Sequence, residues 1–215
     1  MKTPSSRKPA IKAVVFDAFG TLLCIGTRKQ PYLQLMRLAR EAGRPPQWDD
    51  ARTLMTHKLG LAAAAERFQV SLPISSLAAL ERDLFEELSS VTLYSDALPA
   101  ISVLREAGIK IAVCSNLAAP YMVPVKLLLP ALDAYCWSFD VSAIKPEPAI
   151  YQHVAHQLAC PPSSLAMIGD TLGADCLGPR RCGLRGYHLC RQAEPAEDAF
   201  SDLISFARFV VDTTE

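Results

Sequence analysis

The amino-acid sequence predicts an α/β fold: a doubly wound (Rossmann-like) parallel sheet core with an inserted all-helical segment after the first strand. Three observations carry this expectation. Ala13-Val14-Val15-Phe16 is a short apolar run, rich in β-branched residues, that stops at Asp17 and turns at once through Gly20. Strands covered on both faces are apolar throughout rather than alternating, so this run reads as a buried strand. From residue 96 onward, short apolar runs alternate with helix-length stretches, the pattern of parallel βαβ units. Between residues 25 and 95, helical patterns follow one another with no credible strand.

Taken in order, residues 1–9 are polar and contain proline, which predicts a loose tail. Residues 10–24 and 96–215 form the expected sheet domain, and 25–95 the helical insert. Within the insert, Leu33, Leu35, Met36 and Leu38 predict a helix ending near Gly43, ahead of Pro45-Pro46. Asp49 to Phe68 predicts a second helix, weakened at Gly60 and strengthened by four consecutive alanines. Ser75 or Ser76 can cap a third, with Leu77, Leu80, Leu84, Phe85 and Leu88 as its apolar stripe.

Beyond the insert, Ser95 or Asp96 can cap a helix through Ala107 that Gly108 ends. Ile109 to Cys114 predicts a second buried strand, with Ser115-Asn116 at its end. Leu117 to Leu129 reads as helical; Pro120 fits a first turn, whereas Pro124 marks an interruption or a delayed start. Trp137-Ser138-Phe139 predicts a short strand, Pro146 to Leu158 a helix, and Leu165 to Ile168 another buried strand. Gly173 to Cys182 predicts a helix disturbed by Gly178-Pro179, Tyr187 to Leu189 a strand, and residues 198–208 a last helix.

Composition narrows the function. Half of the 215 residues are apolar, enough for a sizeable core. The 22 basic and 22 acidic residues cancel, so there is no basic footprint for nucleic acid. The seven cysteines are odd in number and never form Cys-x-x-Cys, which argues against a disulfide framework or a zinc site. Reduced thiols and a cytoplasmic location are the simplest expectation. No apolar run is long enough for a signal-peptide core or a membrane span.

The chemistry-bearing residues stand at the ends of the predicted strands. Asp17 falls at the carboxyl end of the first, where open α/β sheets place their ligands, and suits a nucleophile or a metal ligand. Asp17-x-x-Gly20-Thr21 resembles the first motif of the haloacid dehalogenase superfamily, whose Asp attacks an electrophile while the Thr orients it and holds substrate. Cys114-Ser115-Asn116 is similar to the second motif, in which a hydroxyl and the following backbone N–H groups bind an anionic oxygen. On its own, Ser-Asn is also an ordinary helix cap. Lys145-Pro146-Glu147-Pro148-x-x-Tyr151 resembles the third motif, whose ammonium offsets the charge of carboxylate and phosphate. Ile168-Gly169-Asp170-Thr171-x-x-x-Asp175 resembles the fourth, an acidic pair that the family's fold sets beside the first Asp. Hard oxygen ligands of this type suit Mg²⁺. The motifs occur in the family's order, across residues 17–175. The resemblance implies that the insert is a helical cap that closes over the site, excludes water and chooses substrates. Arg28, Lys29, Arg37 and His57 are its polar groups that could reach a substrate.

One position departs from the commonest pattern. Phosphatases of the superfamily usually carry Asp two residues after the nucleophile, as the acid and base of turnover; here that residue is Phe19. A phenyl ring cannot transfer protons, and general acid–base catalysis typically contributes about 10²–10⁴-fold. The Phe19 backbone carbonyl remains, and that carbonyl is what the family uses to bind Mg²⁺. The string Asp-Ala-Phe-Gly-Thr-Leu resembles the 2-haloacid dehalogenases, whose halide leaves unprotonated. Those enzymes need no metal and carry a neutral residue where this chain has Asp170, and the insert offers no convincing halide-binding Arg. Two adjacent carboxylates without a cation would repel, and one would take up a proton.

The sequence therefore points to a Mg²⁺-dependent phosphohydrolase acting on a small phosphorylated metabolite, for which a good leaving group such as an acyl phosphate would suit the missing acid. Its expected catalytic residues are Asp17, Thr21, Ser115, Asn116, Lys145 and Asp175. Asp17, the Phe19 carbonyl and Asp170 are the expected metal ligands. A metal-independent 2-haloacid dehalogenase is the alternative, and a phosphate-binding or regulatory protein with little turnover the third possibility.

Overall fold

A computed structural model describes residues 9–192 and 199–213, so the expected tail lies, Pro9 apart, outside the described residues. The first strand, β1 (Ala13–Phe16), is buried at every position, as its unbroken apolar run requires. The chain then passes β2 (Leu23–Ile25), four helices α1 (Pro31–Glu41), α2 (Asp50–Thr56), α3 (Leu61–Arg67) and α4 (Ile74–Ser89), and β3 (Val91–Leu93). Alternation follows: α5 (Ala97–Glu106), β4 (Lys110–Ser115), α6 (Met122–Leu128), β5 (Ala134–Trp137), α7 (Ser138–Val141), α8 (Pro148–Leu158) and β6 (Leu165–Gly169). A π-helical turn at Leu172–Leu177 leads into α9 (Gly178–Arg181), β7 (Arg185–Leu189), β8 (Ala199–Phe200) and α10 (Leu203–Asp212).

Six parallel strands form one sheet in the order β5-β4-β1-β6-β7-β8. The chain winds outward from β1 to β5, then returns to lay β6 on the other side of β1. All carboxyl ends share one edge, and such a reversal opens a crevice there. Helices cover both faces. Val14, Phe16, Ile111 and Val113 pack with α5 and α10 on one side, while Ala13, Val15, Ala112 and Cys114 pack with α8 on the other. Odd and even positions of β1 thus both meet apolar neighbours, which is why its sequence does not alternate.

The helices α1–α4 bury a separate apolar cluster that includes Tyr32, Leu35, Leu54, Leu61, Phe68 and Leu80. Contrary to the expectation of an all-helical segment, β3 falls inside residues 25–95. It pairs antiparallel with β2, so the two chain passages to and from the helices satisfy each other's backbone groups.

Other expectations shift in detail. The single helix expected over 49–68 is two, because His57 is extended and Gly60 stands outside α3. The strand expected at 137–139 lies three residues earlier, paired Ala134↔Ala112 through Trp137↔Ser115, and Ser138-Phe139 already belong to α7. Pro73, not Ser75 or Ser76, precedes α4. Residues 199–200 form β8 and α10 starts later, its Asp202 side chain accepting from the Ser205 N–H at 2.7 Å. Asp96 precedes α5 without capping it; its carboxylate instead pairs with Arg191 at 2.9 and 3.0 Å and accepts from the Leu203 N–H.

Candidate active site

The carboxyl edge of the sheet gathers the polar residues singled out from the sequence. Asp17 follows β1 directly, and its N–H donates to the Ile168 carbonyl at 3.0 Å, continuing the strand pairing one residue further. The chain then closes a tight loop, with the N–H groups of Leu22 and Leu23 donating to the Ala18 carbonyl at 2.8 and 2.9 Å. Gly20 has φ +86°, and a Cβ there would lie 2.2 Å from Asp170 Oδ2. Only glycine lets this loop lie against Asp170. Gly169 plays the matching part on β6, where a Cβ would meet Asp175 Cγ at 2.4 Å.

Lys145 is the centre of the charge pattern. Its Nζ donates to Asp17 Oδ1 and to Asp175 Oδ1, each at 2.6 Å. Asn116 holds its backbone: the Lys145 N–H donates to Asn116 Oδ1 at 2.7 Å, and Asn116 Nδ2 donates to the Lys145 carbonyl at 2.9 Å. Asp175 is fixed in turn, its Oδ2 accepting from the Thr171 N–H at 3.0 Å. Tyr151, the last residue of the Lys-Pro-Glu-Pro string, donates to the Ala174 carbonyl at 2.5 Å and so braces the same turn. Lys145, Asp17 and Asp175 are 5%, 7% and 1% exposed, whereas Asp170 is exposed.

Burial alone would lower the Lys145 ammonium, but Asp17 and Asp175 outweigh it and push it up, so it stays charged. Burial pushes the Asp175 carboxyl up to about 6, against the opposing pull of Lys145. Asp170 is raised first by desolvation and then by the charge of Asp17. Oxygens of Asp17, Asp170 and Asp175 lie within 4.8 Å of one another. Three carboxylates and one ammonium leave an excess of two negative charges when all are ionised. Hard carboxylate oxygens at this spacing fit a divalent cation such as Mg²⁺.

The remaining expected residues lie around this cluster. Ser115 ends β4, buried, and Asn116 follows it. Thr21 is fully buried, and its hydroxyl has no hydrogen-bond partner among the described residues. Buried hydroxyls are ordinarily paired, so this one fits a site that takes a polar ligand. Phe19 is half-buried, its ring edge-on to Tyr121 at 5.8 Å between centroids. The backbone carbonyl expected as a metal ligand belongs to Phe19, two residues after Asp17 in the chain.

Phe19, Ile25, Tyr32, Leu54, Asn116 and Tyr121 are among the residues lining a cavity of about 430 Å³ between the helices and the sheet edge. Of the four insert residues named from the sequence, only Arg28 reaches it. Lys29 pairs with Glu86 at 3.1 Å, Arg37 with Glu41 at 3.9 Å, and His57 lies 3.1 Å from the Thr53 carbonyl.

Sequence reasoning missed the groups that fasten the helices over the site. Glu87 of α4 accepts from Tyr121 Oη at 2.6 Å and from the Gln30 N–H at 2.6 Å. Arg52 of α2 grips Glu147 of the Lys-Pro-Glu-Pro string at 2.9 and 3.0 Å. Arg191, besides pairing with Asp96, donates to the Thr21 carbonyl at 2.7 Å and so pins the Asp17 loop from the far end of the chain. No local spacing marks these pairs; only Glu147 stood inside a recognisable string.

A family model described as haloacid dehalogenase-like hydrolase matches residues 11–183. The chain is 27% identical to (S)-2-haloacid dehalogenase 4A of Burkholderia cepacia, over 90% of this chain and 89% of that one. It is 30% identical to phosphatase MT3486 of Mycobacterium tuberculosis (strain CDC 1551 / Oshkosh), over 52% of this chain and 53% of that one. A crystal structure of a phosphatase from Thermococcus onnurineus shares the fold with a TM-score of 0.64 at 23% identity, covering 93% of this chain and 98% of that one. Among the described residues, no helix is long and apolar enough to cross a membrane.

Proposed function

The chain belongs to the haloacid dehalogenase-like hydrolases, and from that premise we propose that it is a Mg²⁺-dependent phosphohydrolase acting on a small phosphorylated metabolite. The observation that carries this reading is the third carboxylate. Lys145 can offset one of Asp17 and Asp175, but Asp170 then adds a further charge within 4.8 Å, and among the described residues Lys145 is the one cation ion-paired within the cluster. A site that had to keep Asp17 ionised with no metal would be better served by a neutral residue at 170.

Asp17, Asp170 and the Phe19 carbonyl would hold the ion, which when bound supplies charge neutralisation to the phosphoryl oxygens. In this reading the Asp17 carboxylate attacks phosphorus in line and expels the leaving group, and water then cleaves the aspartyl phosphate. Lys145 and the hydroxyls of Ser115 and Thr21 stabilise the phosphoryl oxygens. Asp175 keeps Lys145 aimed, and Asn116 fixes its backbone. The cavity that residues of α1, α2 and α4 share with Phe19 and Asn116 supports a role for these helices in excluding water.

Phe19 provides no proton for the leaving group, so substrates that leave without one, acyl phosphates among them, fit best. Phe19→Asp is expected to raise turnover of a generic aryl phosphate by about tenfold or more, towards the about 10²–10⁴-fold that a well-positioned general acid contributes. Steady-state rates at fixed Mg²⁺ check this, and no gain would mean that something other than the missing acid limits the site.

A second reading has its own support. Phe19 resembles the residue found at this position in 2-haloacid dehalogenases, and two relatives matched over about nine-tenths of the chain bear that name. Chelation separates the readings. With acetyl phosphate as substrate, EDTA is expected to abolish hydrolysis and excess Mg²⁺ to restore it. Chloride release from 2-chloropropionate that persists in EDTA would instead establish the dehalogenase.

A further inference from the structure

We propose that Arg28 determines specificity: it reads an anionic group, a carboxylate, on a substrate whose apolar body fills the cavity over Phe19. The inference rests on the reading that substrate reacts at the Asp17 cluster. Arg28 lines two cavities at once. One, of about 430 Å³, is walled mainly by apolar side chains, among them Phe19, Leu54 and Tyr121. The other, of about 500 Å³, includes Gly20 and Asp170. Arg28 therefore stands between the space beside Asp170 and the apolar space over Phe19.

The charges around Arg28 explain why it is available. Arg191 lines the second cavity as well, but it is committed to Asp96 and to the Thr21 carbonyl. Glu87 is the acid of the first cavity, and its oxygens accept from Tyr121 Oη and from the N–H groups of Lys29 and Gln30. Neither Glu87 nor Asp170 forms an ion pair with Arg28, which has no acidic partner among the described residues and is exposed. An unpaired guanidinium beside a cavity suits a planar, bidentate anion. The apolar walls set the rest of the ligand, because a polar body there would lose its hydration without gaining partners. Glu87 adds selectivity: its fixed negative charge disfavours an anion placed deep in the apolar space and leaves the Arg28 end as the favourable position.

Non-reacting probes test this without turnover. Binding of 3-phenylpropionate and of its neutral counterpart 3-phenylpropan-1-ol is measured by calorimetry on the full chain and on Arg28→Gln. The wild type is expected to bind the carboxylate about tenfold more tightly than the alcohol, as one charge-assisted bidentate contact allows. Arg28→Gln is expected to lose that preference while its affinity for the alcohol stays within about twofold. Equal affinity for both probes in the wild type, or a preference that survives the substitution, would overturn the proposal. A parallel hydrolysis assay with phenyl phosphate and 4-carboxyphenyl phosphate keeps the two ideas apart. No turnover of either ester counts against the phosphohydrolase, whereas the role of Arg28 is judged on the binding alone.

Discussion

Asp17→Asn is expected to cut hydrolysis by about a thousandfold or more, the scale seen when an enzyme loses its nucleophile. The amide has the size of the carboxyl and can still accept from Lys145, but it cannot attack and is a poor cation ligand. The fold should not suffer. The cluster holds three carboxylates against one ammonium, and removing one of them relieves repulsion. The variant's melting temperature in the absence of metal is therefore expected to equal or exceed that of the wild type. Steady-state rates on acetyl phosphate and a thermal melt in EDTA check both halves. Activity within tenfold of wild type would show that another group reacts, and a large drop in melting temperature would mean that Asp17 is chiefly structural.

What the sequence discloses about this site follows from how each residue is held. Asp17, Ser115 and Asp170 were legible because a buried strand is an apolar run, and a polar residue that ends such a run must sit at the sheet's edge. Lys145 is 128 residues from the aspartate it touches, and only the resemblance of its string to a known motif placed it there. Arg191 and Asp96 are 95 apart, and neither lies in any periodic pattern, so nothing local announced that they would tie the Asp17 loop down. Glu87 sat unremarked in α4, where a glutamate is normally solvated, yet it is 3% exposed because the Lys29 and Gln30 backbone and Tyr121 all turn toward it. The fold was lost at the same scale. Trp137-Ser138-Phe139 has the alternation of a strand, but sheet register with β4 decides where β5 lies, and register is a long-range property.

Lys145→Met is expected to damage both activity and stability, and its stability loss should grow with pH. Methionine fills much the same volume but leaves Asp17 and Asp175 buried with no counter-charge. Breaking a buried ion pair by removing one partner costs about 3–5 kcal/mol. The sign of the pH dependence comes from Asp175. Its folded carboxyl titrates near 6 even with Lys145 beside it, above its ordinary value of 3.8. Between those values the folded state holds the proton more tightly than the unfolded chain, so raising the pH through this window lowers stability. Removing Lys145 takes away the pull that opposes burial, so Asp175 rises further and the window extends upward. Melts of both proteins in EDTA should thus lie closest together near pH 4–5, where Asp175 is protonated in either fold, and separate steadily toward pH 8. A gap that stayed constant from pH 4 to 8 would show that the loss comes from packing rather than from unpaired carboxylates. Rescue of the variant's stability at pH 8 by added Asp175→Asn would locate the uncompensated charge at that residue.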